Sequence, residues 1–276
     1  MKAVIAISDM HIGSTVGLCP PQVTVVDRGT YLPNAFQTTV YNYWRDFWKK
    51  YVPATVKGAK KVVLVINGDI IDNVHHNAVN ILSSAIDVQE EAAKSVLREM
   101  LDMCPVKIDD IYFVAGTEAH SGQSAECERR IATAVGAVPD DTGEIVPYQR
   151  WLDVDGTIFH FAHSISTTSS AAYESSAPMR ELVASMVEAT QWGRPMPDVL
   201  VRSHRHRFIE VPIPTATGRI RVVVTPGWQL RTPFVERIDR MRMPHIGGVV
   251  FTVEKGKICQ VKEKMYPLPE PTPTKI

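Results

Sequence analysis

An α/β fold is what this sequence predicts, and three observations predict it. Continuous apolar runs of strand length, such as Val62-Val63-Leu64-Val65-Ile66, stop abruptly at glycine, acid or histidine, as buried parallel strands do where they leave a sheet. Stretches with helical periodicity alternate with them, at 36–51 and from about residue 80 to 103. With 276 residues and 45% hydrophobic content, the chain is long enough for one substantial core. A single domain over 1–266 is expected, followed by an extended or disordered Pro-rich tail at 267–276.

Charge and cysteine usage narrow the function classes. Lys plus Arg and Asp plus Glu are both 30, so no net charge draws the chain to nucleic acid or a membrane surface. Cys19, Cys104, Cys127 and Cys259 form no Cys-x-x-Cys pair, which excludes a zinc knuckle, a redox motif or a disulfide framework. Reduced thiols and a cytoplasmic location are expected. The apolar run 3–7 is too short for a signal-peptide core, and no stretch approaches the roughly eighteen apolar residues of a membrane span, so no membrane association is expected.

Taken in order, residues 2–8 form a first buried strand, and Asp9 and His11 follow it two positions apart. Two such side chains point the same way from an extended backbone. Residues 14–35, with Pro20-Pro21, Gly29 and Pro33-Asn34, are expected to be a long loop covering the substrate side of the strand ends. The helix over 36–51 turns Val40, Trp44, Phe47, Trp48 and Tyr51 toward the core. The central strand then closes on Gly68-Asp69-Ile70-Ile71-Asp72. His75 and His76 beside it either edge the site or, the preferred reading, are solvated loop residues.

A long helix from about residue 80 ends near Pro105. The strand at 111–115 closes on Gly116-Thr117-Glu118-Ala119-His120-Ser121-Gly122. From Ser124 a helix carrying Glu126, Glu128, Ile131, Ala132 and Val135 directs its amide donors back at the strand ends. Residues 151–163 form a hairpin on the Asp155-Gly156 turn, with His163 at the end of its second strand and His160 facing the other side. After a helix at 179–189, the short strand 199–201 leads into Ser203-His204-Arg205-His206. The remainder is strand-rich, at 207–212, 219–225, 248–254 and 258–264, with a Pro226-Gly227-Trp228-Gln229 turn between.

Of the nine histidines, His11, His120, His163, His204 and His206 all follow predicted strands directly, as do Asp9 and Asp69. Strand ends are where α/β sheets hold ligands. Imidazole and carboxylate without thiolate suit Mn²⁺, Fe or Zn²⁺ in a working site rather than structural zinc. Two neighbouring cations need a shared carboxylate, and Asp69 is the natural bridge.

These residues resemble the calcineurin-like metallophosphoesterases, whose pattern is Asp-x-His, Gly-Asp-x-x-Asp, Gly-Asn-His-(Asp/Glu), a later His, and Gly-His-x-His. Asp9-Met10-His11 and Gly68 to Asp72 match it, His163 fits the later His, and His204-Arg205-His206 matches except that Ser203 stands for Gly. The resemblance implies a two-sheet α/β sandwich flanked by helices. It also implies one cation held by Asp9, His11, Asp69 and His206, a second held by Asp69, His163 and His204, and an Asp72 that orients its neighbours.

The third motif departs from the pattern. Thr117 and Glu118 stand where the family has its Asn ligand and His, and His120 comes two positions later. This Gly-Thr-x-x-His-x-Gly loop is similar to a variant found in metallophosphoesterases of phages and prophages. His120 is expected to be the general acid in preference to a ligand, with Thr117 and Glu118 as lesser candidates for the remaining coordination position.

The reading that follows is a phosphodiesterase acting on nucleotides or related small phosphate esters. Its cofactors would be two divalent ions, Mn²⁺ first and Fe, Zn²⁺, Ni²⁺ or Mg²⁺ as alternatives. Such ions lower the pKa of a shared water so that hydroxide attacks phosphorus in line with the departing oxygen. The arginines of 202–242, namely Arg202, Arg205, Arg207, Arg219, Arg221, Arg231, Arg237, Arg240 and Arg242, would suit either further phosphates or ordinary ion pairs with acids elsewhere. A nuclease of the same fold and a scaffold that has lost catalysis are the rival readings.

Overall fold

The structure is a computed structural model that describes residues 1–26, 29–75, 79–166, 170–216, 218–238, 243–269 and 274. Strand β1 (Lys2–Ile7) is followed by the two-residue strands β2 (Val23–Thr24) and β3 (Thr30–Tyr31). Helix α1 (Ala35–Asp46) runs through a π-helical turn (Phe47–Tyr51) into α2 (Val52–Thr55). Next come β4 (Val62–Asn67), α3 (Ile86–Met103), β5 (Asp110–Val114), α4 (Glu118–Ser121) and α5 (Glu126–Ala134). The second half holds β6 (Gln149–Val154), β7 (Thr157–Ala162), α6 (Ser176–Trp192), β8 (Val199–Arg202), β9 (Ile209–Thr215) and β10 (Gly218–Val224). It closes with α7 (Pro233–Ile238), β11 (Ile246–Glu254) and β12 (Lys257–Tyr266).

Two five-stranded sheets result, ordered β12-β11-β1-β4-β5 and β6-β7-β8-β10-β9. In the first, β1, β4 and β5 run parallel, and in the second β7, β8 and β10 do. Side-chain alternation assigns the layers. Val4, Ala6, Val63, Val65 and Phe251 of the first sheet meet Phe159, Phe161, Val201 and Val223 of the second in one buried cluster. The opposite face of the first sheet, Ile5, Ile7, Leu64 and Ile66, packs on Trp44, Trp48, Val96 and Ile131 of the helices. Behind the second sheet, Leu200, Val222 and Val224 pack on Leu182 of α6. The chain is therefore the expected two-sheet α/β sandwich flanked by helices.

Local chemistry explains the elements that frame the site. Asn34 caps α1 reciprocally with Gln37, each side chain accepting the other's backbone N–H at 3.0 Å. The π turn lets the consecutive Phe47 and Trp48 both be fully buried, which a regular helix with about 100° per residue does less well. The β6–β7 hairpin turns on Asp155 and Gly156, both with positive φ, as anticipated.

Three expectations are corrected. The helix expected from about residue 80 begins at Ile86, because Ile81 bridges to Ser14 and Leu82 N donates to Gly13 O at 2.7 Å. The loop at 14–35 does not simply lie over the strand ends: Leu18 and Cys19 are fully buried, and Leu18 N donates to Met10 O. The helix expected from Ser124 is preceded by the short α4, which carries His120. His76 and most of the tail, 270–273 and 275–276, lie outside the described residues.

Candidate metal centre

The parallel strands of both sheets deliver their C-terminal ends to one place. β1 leads to Asp9 and His11, β4 to Asp69 and Asp72, β5 to Thr117 and His120, β7 to His163, and β8 to His204 and His206. The loops after β1 and β4 run side by side, with Asp9 N donating to Gly68 O (3.0 Å), His11 N to Asp69 O (3.2 Å) and Asp72 N to Ile12 O (3.0 Å). Asp9, His11, Asp69, His204 and His206 all have left-handed backbone, at φ 52°, 44°, 54°, 70° and 49°. Such a conformation costs roughly 1–2 kcal/mol per non-glycine residue, and its concentration here marks a functional site.

Donor atoms of Asp9, His11 and His206 lie within 4.8 Å of one another, and so do those of Asp69, His163 and His204, and of His11, Asp69 and His120. Asp9 Oδ1 is 3.3 Å from His206 Nε2 and 3.9 Å from His163 Nε2. His11 Nε2 and His206 Nε2 face each other at 3.0 Å. Two nitrogens at right angles on one cation, each about 2.1 Å away, would be separated by about 3 Å. Asp69 stands between the groups, its Oδ2 3.0 Å from His163 Nε2.

The outer contacts aim these atoms inward. His163 Nδ1 donates to the Asn67 carbonyl (2.6 Å) and His11 Nδ1 to Asp72 Oδ1 (3.1 Å), leaving both Nε2 atoms toward the cluster. A ligand imidazole held by its other nitrogen is the usual arrangement in metal sites. Asp9 Oδ1 and His163 Nε2 are buried without a hydrogen bond. Burial by itself would raise the Asp9 carboxyl, but the His206 and His163 rings outweigh it and bring it down to about 2. Burial would lower His163, yet Asp69 and Asp9 outweigh it and carry it up to about 10. The pocket thus calls for positive charge, and a divalent cation meets that demand as well as a proton does.

His120 Nδ1 donates to the Asp72 carbonyl at 2.7 Å, and its ring meets those of His11 and His75 edge-on, with centroids 4.4 Å away in each case. Burial and the neighbouring His11 push it down to about 4. His75 Nε2 is 3.8 Å from Asp72 Oδ1, so this residue edges the site and is not the solvated loop histidine expected. Thr117 N (2.7 Å) and Oγ1 (3.1 Å) both donate to Asp69 Oδ1, while Glu118 is exposed. His160 lies on the outer face of its sheet, away from the cluster, as anticipated.

Several residues that hold the site carry no motif. Glu128, fully buried on α5, accepts Gly116 N (2.8 Å) and Ile70 N (3.4 Å), tying the β4 and β5 loops together. Burial and the nearby Asp69 raise its carboxyl to about 7. Its signal in the sequence is an acid three and four positions before Ile131 and Ala132, on the apolar stripe. Gln229 Nε2 donates to Asp72 Oδ1 (3.2 Å) and Trp228 N to Asp9 O (2.8 Å), so the Pro-Gly-Trp-Gln turn braces both acids. Asn67 Nδ2 donates to Ser203 Oγ, and hydroxyl contacts continue through Thr225 and Ser8, each 2.7 Å, to Asp9 Oδ2. Ser203 therefore uses the hydroxyl that a glycine there would lack.

Four arginines of the arginine-rich segment pair with acids. Arg202 pairs with Glu181, Arg207 with Glu174 (2.9 Å), Arg221 with Glu210 (2.6 Å) and Arg231 with Glu236 (3.6 Å). Asp239, Arg240 and Arg242 lie outside the described residues. All four cysteines are free, and among the described residues no helix is long and apolar enough to cross a membrane.

No family model and no curated protein matches the sequence. Among solved structures, the chain is similar to a metallophosphoesterase from Sphaerobacter thermophilus (9% identity, TM-score 0.39, covering 96% of this chain and 89% of that one). It is also similar to a conserved uncharacterized protein, described as a predicted phosphoesterase, from Streptococcus pneumoniae TIGR4 (10%, 0.37, 96% and 93%). A third is the sulfate thiohydrolase SoxB of Thermus thermophilus (14%, 0.40, 96% of this chain), of which the chain spans 56%.

Proposed function

We propose that this chain is a metal-dependent phosphoesterase of the calcineurin-like kind, a phosphodiesterase acting on nucleotides or related small esters. The observation that carries this reading is the convergence of Asp9, His11, Asp69, His163, His204 and His206 from four strand ends on one cluster, in which Asp9 Oδ1 and His163 Nε2 are buried without a hydrogen bond. In this reading Asp9, His11, Asp69 and His206 hold one divalent cation, and Asp69, His163 and His204 the other. Bound there, the cations would supply a water activated near neutral pH and charge neutralisation for the phosphate.

The chain's own residues do the rest. Asp72 holds the His11 ring by its Nδ1, and Thr117 holds Asp69 by two donated hydrogen bonds. His120, with Nδ1 committed to the Asp72 carbonyl, keeps Nε2 for the substrate. Neutral in the free protein, it gains a proton as an anionic ester binds beside it, and passes that proton to the departing oxygen. His120→Ala is expected to retain bound metal and lose about 100-fold or more in turnover. Loss of metal would make His120 a ligand instead.

A hydrolysis panel tests the whole reading. With Mn²⁺ added, a phosphate monoester, a diester, a cyclic nucleotide and single-stranded DNA are compared, and the diester is expected to turn over best. A protein that binds no metal after mild purification, and that Mn²⁺ does not stimulate, would revive the scaffold. The pairing of Arg202, Arg207, Arg221 and Arg231 with acids supports small substrates over a nucleic-acid strand.

A further inference from the structure

A cavity of about 520 Å³ opens beside the cluster, lined in part by His163 of the cluster and by Gly116, which packs against Asp69. Its floor is the part of the second sheet's outer face formed by β6 and β7, and α6 contributes one wall through Ser185 and Glu188. The volume is in the range of small-molecule sites. Tyr148 and Trp151 line it and are 63% and 46% exposed, unusual for rings this large. Trp151 stacks on His160 at 4.4 Å and 26°, and His160 is held in turn by Gln149 (3.1 Å) and by Arg202 (3.1 Å). The indole is thus backed on one face by a fixed ring and still has open surface.

Register sets its distance from the cluster. Trp151 pairs with His160, and Gln149 with Ala162, the residue before His163. At about 3.3 Å per residue, the Trp151 pair lies roughly 10 Å along β7 from His163. A phosphate at the cluster and a flat ring over Trp151 would need a linker of about the length of a sugar to span that distance.

We infer that this groove is a nucleoside subsite, in which the base of a nucleoside 5′-phosphate ester stacks on Trp151 while its phosphate sits at the cluster. The inference rests on the phosphodiesterase reading and names its substrate class. Aromatic stacking is tolerant of base identity, and Ser185 and Glu188 offer hydrogen-bonding groups to the sugar or base edge. Concavity and continuity with the cluster favour a small ring over a protein partner.

Two diesters with the same leaving group test it on the Mn²⁺-loaded protein: the p-nitrophenyl ester of thymidine 5′-phosphate and p-nitrophenyl methyl phosphate. Trp151→Ala should lower kcat/KM for the thymidine ester about 5- to 150-fold. The methyl ester should change less than about twofold, and Trp151→Phe should keep most of the thymidine preference. An equal effect of Trp151→Ala on both esters would overturn the subsite. AMP quenching of tryptophan fluorescence in a Trp192→Phe background, counted only as the part that a further Trp151→Phe change removes, separates the two readings. Quenching without hydrolysis of either ester upholds the subsite and sinks the phosphodiesterase. Hydrolysis of both without quenching does the reverse.

Discussion

Asp69 is the residue at which the two groups of candidate ligands meet, and its surroundings show why a carboxylate is needed there. Oδ1 receives Thr117 N, Thr117 Oγ1 lies between the two oxygens, and Oδ2 faces His163 Nε2, so both oxygens are engaged. Asp69→Asn keeps the shape but puts an amide where a charge is required. It should lower turnover by more than about 100-fold, beyond the loss typical of an outer partner, with metal content reduced by elemental analysis and the circular dichroism spectrum unchanged. His163 gives a pH test. Its folded value of about 10 stands above the ordinary 6.5, so in chelator-treated protein its stabilising contribution is full below about 6.5 and is lost as pH rises through 10. The melting temperature should fall between pH 7 and 10, and His163→Asn should flatten that fall.

At the scale of elements, the loops after β4 and β5 are packed backbone to backbone. A Cβ on Gly116 would lie 2.2 Å from Asp69 Oδ1 and 2.4 Å from Asp69 N, and one on Gly68 would meet Gly116 Cα at 2.6 Å. Gly68 also has φ 83°, which side chains other than hydrogen resist. The glycines that end these strands are therefore there for close approach as much as for turning. Gly116→Ala should displace Asp69 and cost at least tenfold in kcat/KM, with a smaller loss in chemical denaturation than a core truncation of about 2–5 kcal/mol. Activity retained at the wild-type level would show that the loops have room to part.

For the whole molecule, the site is a seam between two sheets. Asp9, Asp69 and Thr117 come from the first sheet, His163, His204 and His206 from the second, and the chain of Asn67, Ser203, Thr225 and Ser8 crosses between them. A cation gripping both sides would link them like a staple and would relieve the mutual repulsion of buried Asp9 and Asp69. Metal at about 100 times its Kd should add about 2.7 kcal/mol to stability. Removal by chelator should therefore lower the melting temperature by several degrees, and re-addition of Mn²⁺ should restore it. An unchanged melt would mean that no cation joins the sheets.

The spacing of residues along the chain was enough to locate the strands of the two large sheets, though not the two-residue β2 and β3, because apolar runs of strand length are buried whichever way the sheets pack. It was also enough to single out Asp9, His11, Asp69, His163, His204 and His206 as candidates that the fold brings together, because a strand end is a local feature that each short motif carries with it. His75 could not be separated from a solvated loop residue, since its contacts with Asp72 and His120 come from loops distant in sequence. Ser203 was legible only as a departure from a pattern, and Glu128 only as an acid on an apolar stripe. Their partners, Thr225, Gly116 and Ile70, are chosen by the folded backbone. By itself, then, the sequence determined the α/β class and the types of the candidate donor groups. Only the tertiary structure decided which donors face one another, because left-handed turns at Asp9, His11, Asp69, His204 and His206 aim those side chains, and no spacing rule encodes the sign of φ.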